Sequence, residues 1–100
     1  MMKVRNMVSS SSGREVANQF IITGDSKVVF QSYDSTICII DYNKEGAEHI
    51  TLGRHWDYSK TTSKYLYQFL REYKGLYNLN KKAIEEAINN KEIAYNASLC

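Results

Sequence analysis

Hydrophobic and polar positions change their spacing near Gly53, and this change divides the chain in two. Between Lys3 and Leu52, runs rich in β-branched and aromatic residues are separated by Gly, Ser, Asn and Asp segments that are typical of turns. After Gly53, apolar residues recur at helical spacing. The pattern predicts an antiparallel meander of four or five strands over residues 3–52, a junction over residues 53–59, and helices beyond it.

The most apolar run of the predicted meander is Thr36–Tyr42. Its centre carries apolar residues on both faces, which favours a central position in the sheet. The polar segment Asn43–Gly46 follows, with glycine where a hairpin loop needs a positive φ.

The segment 60–74 is predicted to form the first helix. Ser59 precedes it as an N-cap, with Thr62 as a competing cap, and Gly75 ends it. Four apolar residues of this segment share one arc of the helix: Leu66, Phe69, Leu70 and Tyr73. We expect this arc to pack on the sheet.

A second helix is predicted over residues 80–90, capped by Asn80 and with Ile84, Ala87 and Ile88 facing inward. Residues 91–100 are expected to form a short strand or a tail. A run of strands followed by two helices is typical of an α+β fold.

Composition indicates one globular domain that includes residues 1–100. The chain has 43% hydrophobic and 24% charged residues. Its two cysteines, Cys38 in an apolar run and Cys100 at the terminus, make no disulfide framework and favour a reducing compartment. No signal-like segment and no run of 18 apolar residues is present, so we expect a cytoplasmic protein without membrane contact.

The sequence contains none of the common enzyme motifs. A phosphate-binding glycine loop, a GxSxG elbow, an HExxH pair and a CxxC pair are all missing. We therefore expect no catalytic residues, no metal and no cofactor. The alternative is a small hydrolase or nuclease that uses His49, His55 and Asp57, although no third metal ligand lies near the last two.

The first predicted helix carries a basic stripe on the face opposite its apolar arc. With a net charge of only +2, the distribution of charge matters more than its sum. Including one residue of the junction, the candidate binding residues are Arg54, Lys60, Lys64, Tyr67, Arg71 and Lys74. Cations interleaved with an aromatic ring suit a phosphate backbone with stacked bases, or an acidic protein surface. The alternative is the ordinary solvated face of a surface helix.

The junction contains three predicted structural anchors: Trp56, Tyr58 and Ser59. Trp56 and Tyr58 are expected to fix the turn, and Ser59 to start the helix. For Trp56 the alternative is an exposed interface anchor, but burial against the helix is favoured.

Three blocks of the sequence carry a resemblance to a known group of proteins. They are Asn18-Gln19-Phe20-Ile21-Ile22, Phe30-Gln31-Ser32-Tyr33-Asp34-Ser35, and Trp56-Asp57-Tyr58-Ser59-Lys60-Thr61-Thr62-Ser63-Lys64-Tyr65, followed by Phe69-Leu70. In this order they resemble an uncharacterised family of small proteins from phages and other mobile elements of Gram-positive and gut bacteria. The resemblance covers about residues 16–70, and it implies a biological setting without an activity.

That setting suggests a non-enzymatic accessory protein that binds and inhibits or redirects a host nucleic-acid-directed complex, for example as an anti-CRISPR. The implied partner is a host or defence-system protein, or a nucleoprotein complex, in the cytoplasm of the bacterial host. A slightly basic chain argues against simple DNA mimicry. The alternative is a module that binds DNA or RNA directly.

Overall fold

The computed structural model describes residues 2–99 and has a six-stranded sheet with two helices. The strands are β1 (Lys3–Val8), β2 (Glu15–Thr23), β3 (Lys27–Ser32), β4 (Ser35–Asp41), β5 (Ile50–Gly53) and β6 (Ala94–Asn96). The helices are α1 (Lys60–Lys74) and α2 (Lys81–Asn89), and a 3₁₀ turn spans Gly46–His49 before β5. The predicted α+β fold is confirmed.

The sheet has the order β1-β2-β3-β4-β5-β6. Its first five strands form the antiparallel meander that the sequence predicts, and β4 lies inside it, between β3 and β5. The sixth strand lies outside the predicted meander. It pairs with β5 in parallel, with Thr51 opposite Ala94. A parallel neighbour needs a long crossover connection, and here the two helices provide it.

The hydrophobic core lies between the sheet and α1. Ile21, Phe30, Cys38 and Leu52 are opposite one another on β2 to β5, and all four are fully buried. Phe69 of α1 stacks on Phe30, with 5.7 Å between the ring centroids. The predicted apolar arc of α1 therefore faces the sheet.

Both helices begin at the predicted caps. The Ser59 hydroxyl accepts a hydrogen bond from the Thr62 amide at 3.1 Å, and the Asn80 side chain accepts one from the Ala83 amide at 2.8 Å. Gly75 has a φ of 65° and ends α1 in the left-handed conformation. The competing cap residue, Thr62, is instead buried inside the first turn of α1.

The last described residue, Leu99, packs closely on β5 at Gly53. The Arg54 amide donates to the Leu99 carbonyl at 2.9 Å. A Cβ atom at Gly53 would lie 2.4 Å from the Thr36 carbonyl oxygen and 2.7 Å from the Leu99 carbonyl oxygen. Only glycine fits between these two backbone segments. Cys100 lies outside the described residues.

Across residues 2–99, neither helix has the length and apolar character that crossing a membrane requires.

Candidate functional site

A groove of about 970 Å³ follows the outer face of α1. Its lining residues are Ser10, Asp57, Tyr58, Ser59, Lys60, Ser63, Lys64, Tyr67, Gln68, Arg71, Leu76, Tyr77, Asn78, Leu79 and Lys81. They come from α1, from the junction before it, and from the segment 76–79 that connects the two helices. This segment returns toward the start of α1, since Lys81 pairs with Asp57 at 3.4 Å. The returning segment forms one wall of the groove.

The β1–β2 loop is fastened to the other side of α1 by Gln68. This side chain is buried, and its amide nitrogen donates to the Val8 carbonyl at 2.6 Å and to Glu72 at 3.0 Å. Its oxygen accepts a long hydrogen bond of 3.4 Å from the Ser10 amide. The contact between Gln68 and Ser10 explains how Ser10, near the start of the chain, comes to line the groove.

The groove is positively charged. Lys60, Lys64 and Arg71 line it from one face of α1, and in the described part of the chain none has a carboxylate within 4.0 Å of its side-chain nitrogen atoms. Lys81, in contrast, is paired with Asp57, the only carboxylate among the lining residues. Within residues 2–99, three cations of the groove therefore have no acidic partner.

Aromatic side chains lie among these cations. Tyr67 is half-buried on α1, while Tyr77 on the returning segment is 67% exposed and Tyr58 at the junction is 77% exposed. Exposed tyrosines next to cations provide flat apolar faces with hydroxyl groups at their edges. The groove can therefore hold a ligand that combines negative charge with planar rings.

The structure brings four of the six predicted binding residues together in the groove. Lys60, Lys64, Tyr67 and Arg71 recur every three or four positions, so they share one helix face. This part of the predicted stripe is a continuous surface.

The other two predicted residues, Arg54 and Lys74, do not line the groove. Arg54 lines a smaller cavity with Glu85 and Tyr95, because the turn at residues 54–57 separates it from α1. Lys74, at the end of α1, donates from Nζ to His49 Nε2 at 2.7 Å. Arg54 and Lys74 therefore lie outside the groove, and a role for them in binding stays a prediction.

Two of the three predicted anchors act as expected. Trp56 is only 5% exposed and belongs to the hydrophobic core, and Ser59 caps α1. Tyr58 is largely exposed, contrary to the expected anchor, and its ring lies roughly perpendicular to the His55 ring, at 5.8 Å between centroids. The turn is held by the backbone, where the Tyr58 amide donates to the His55 carbonyl at 3.1 Å.

The residues proposed for a hydrolase have separate partners. The His49 ring accepts from Lys74 at Nε2, which leaves Nδ1 to donate to the Asp41 carbonyl at 2.9 Å. His55 packs on Tyr58, and Asp57 pairs with Lys81. Over residues 2–99 no group of three or more His, Cys, Asp or Glu side chains is placed to hold a metal ion. A hydrolase stays an untested alternative.

Cys38 lies in the core, where burial raises the pKa of its thiol far above the ordinary value. The thiolate is therefore strongly disfavoured there, and Cys38 acts as a small apolar residue of the sheet.

Sequence reasoning missed the residues of the returning segment, Tyr77 and Asn78, and Lys81 beyond it. The local sequence contains one usable signal, the short connection between two capped helices, which favours an antiparallel return along the first helix. It does not say on which side of α1 the segment returns. In the structure Leu76 and Leu79 of the segment pack against the hydrophobic core, and Lys81 beyond it pairs with Asp57.

Comparison with known proteins gives a family for the chain. No curated protein and no solved structure matches it. A family of unknown function, DUF8033, matches residues 2–94, which extends well beyond the three blocks noted above. The expectation of an uncharacterised family is confirmed: the chain belongs to the DUF8033 family of unknown function.

Proposed function

We propose that this protein is a non-enzymatic binding protein whose groove takes a single strand of nucleic acid. The main observation in support of this function is that Lys60, Lys64 and Arg71 line one groove and have no carboxylate partners among residues 2–99. A phosphate backbone supplies the negative charges that these side chains lack.

A single strand fits the groove better than a duplex does. Lys60 and Arg71 are three helical turns apart, about 16 Å at 1.5 Å per residue, so their side chains follow a line. Tyr67 and Tyr77 lie beside that line, and unpaired bases can stack on such rings. In a duplex the faces of the bases are covered by their neighbours, and the tyrosines would have no partner.

The resemblance to phage and mobile-element proteins supports a wider role for the same groove. In this proposal the protein binds a host nucleic-acid-directed complex, such as a defence nuclease, and inhibits or redirects it by holding its exposed strand. A net charge of +2 favours contact with the nucleic acid over imitation of it.

The test is the binding of a fluorescently labelled single-stranded oligonucleotide, measured by anisotropy over a range of salt concentrations. With three phosphate contacts, the slope of log K against log salt should be roughly −2, from 0.7 for each contact with a single strand. The triple variant Lys60→Ala, Lys64→Ala, Arg71→Ala should bind weakly and with a slope near zero, because the contacts that release counterions are gone.

A second triple variant controls for net charge. Lys3→Ala, Arg14→Ala, Lys82→Ala also removes three positive charges, from exposed residues outside the groove. It should retain most of the affinity and the slope. Equal losses in the two triple variants, or no binding by the native protein even at low salt, would overturn the proposal.

A further inference from the structure

A second cavity, of about 540 Å³, adjoins the groove at the start of α1. Its lining residues are Ser32, Tyr33, Asp34, Ser35, Ile37, His55, Tyr58, Ser59, Thr61 and Thr62. Three parts of the fold supply them: the β3–β4 hairpin, the junction and the first turn of α1. Tyr58 and Ser59 line both the cavity and the groove, so the two spaces border the same two residues.

The chemistry of this cavity differs from that of the groove. No lysine or arginine lines it, whereas its walls include five serine and threonine side chains, the His55 ring and the Asp34 carboxylate. Within the described chain, Asp34 makes no hydrogen bond or ion pair through its side chain. A phosphate is poorly matched to such walls, while an uncharged polar ring with an amino group is well matched.

Tyr33, in the hairpin turn, is held in an unusual backbone conformation. Its φ is 53°, which is uncommon for a bulky residue. The backbone is fixed on both sides, since the Tyr33 amide donates to the Asn18 carbonyl at 2.7 Å and Gln31 Nε2 donates to the Tyr33 carbonyl at 2.7 Å. The ring is nevertheless 58% exposed. A two-residue hairpin loop uses a positive φ at its first residue, so the turn accounts for the backbone of Tyr33 but not for the exposure of its ring.

The cavity thus has an exposed tyrosine from each of two separate elements in its walls. Tyr33 comes from the hairpin and Tyr58 from the junction, and neither ring is buried in the core. Core packing therefore does not account for either side chain, whereas stacking on a planar ligand does.

We infer that the second cavity is a nucleobase pocket, which receives one unstacked base of the strand whose phosphates lie in the groove. Tyr33 and Tyr58 provide the stacking surfaces, and the Asp34 carboxylate accepts a hydrogen bond from the exocyclic amino group of the base. Adenine, cytosine and guanine have such a group and thymine has none, so the pocket selects against thymine. This inference rests on the proposed function and adds a base preference to it.

The pocket is tested by comparing two oligonucleotides of equal length, one of adenine nucleotides and one in which every base is replaced by an abasic linker. Both carry the same phosphates, so their contacts with Lys60, Lys64 and Arg71 are equal, and the difference in affinity measures the base contacts of the groove and of the pocket together. The native protein should bind the adenine strand about tenfold more tightly or better, as expected from stacking of at least one base. Equal affinities would refute the pocket and the stacking of bases on Tyr67 and Tyr77, and would leave only the phosphate contacts of the groove intact.

Variants then locate the base contact. Tyr33→Asn should remove most of the preference for the adenine strand over the abasic one, and asparagine tolerates the left-handed backbone, so the fold is retained. Tyr58→Ala should have the same effect. Tyr95→Ala, an exposed tyrosine outside both spaces, should keep the full preference. The pocket assignment would be contradicted if the preference stayed as large as in the native protein in both the Tyr33 and the Tyr58 variants.

The role of Asp34 is tested by comparing oligonucleotides of different base composition. The native protein should bind adenine and cytosine strands several-fold more tightly than a thymine strand, and Asp34→Asn should narrow that difference. An unchanged difference would exclude Asp34 as the acceptor. A different result would refute the groove as the phosphate-binding site. In that case neither the adenine strand nor the abasic strand would bind with the expected salt dependence.

Discussion

At the scale of single residues, Gly53 shows how one position lets two distant segments of the chain pack together. It lies between β4 and the last described residues of the chain, with the Thr36 and Leu99 carbonyl oxygens close to where a Cβ atom would be. The pattern of the sequence places Gly53 in the junction directly after a predicted strand, and no local feature of the sequence predicts its contact with Leu99. A long-range contact of this kind follows only from the folded path.

Gly53→Ala should therefore destabilise the protein. The new methyl group must displace one of two backbone segments, at a cost of about 1–3 kcal/mol. The measurement is chemical denaturation of both proteins. Gly24→Ala is a matched control, because the nearest atom to a Cβ there is 3.7 Å away, so its stability should change little. A Gly53→Ala protein as stable as the Gly24→Ala control would mean that neither the Thr36 nor the Leu99 carbonyl lies as close to Gly53 as the structure has it.

At the scale of elements, α1 is the part of the molecule that the sequence predicts best. A helical period of apolar residues, a serine before the helix and a glycine after it are local signals, and the helix has the predicted bounds of Lys60 and Lys74. Strand β6, in contrast, has few local signals in the sequence. It has only three residues, none of them fully buried, and its parallel pairing depends on how the two helices return the chain to β5.

The cap of α1 gives a prediction for this element. Ser59→Ala removes the acceptor for the Thr62 amide and should cost about 1 kcal/mol, whereas Ser59→Asp should keep the cap and most of the stability. Thermal unfolding of both variants measures the effect. If the two variants were equally unstable, the contribution of Ser59 would come from its other contact, the hydroxyl of Thr62 at 3.2 Å.

At the scale of the whole molecule, the sequence predicts most of the fold but only part of the candidate site. The helical stripe gives Lys60, Lys64, Tyr67 and Arg71, because helix geometry alone puts them on one face. Tyr77 and Ser10 join them through the return of the segment 76–79 and the anchoring of the β1–β2 loop. Arg54 and Lys74 lie outside the groove, since Arg54 lines another cavity and Lys74 donates to His49.

The most direct test of the central claim is a nuclear magnetic resonance titration of the isotope-labelled protein with a short single-stranded oligonucleotide. Binding in the groove predicts saturable shifts of the amide signals of Lys64, Tyr67, Arg71 and Tyr77, with small changes on β1 and at the 3₁₀ turn. Fast reversal of these shifts on addition of salt is also expected, since the contacts are to phosphates. No shifts at low salt, or shifts confined to residues outside the groove, would contradict the proposal that this face binds a nucleic-acid strand.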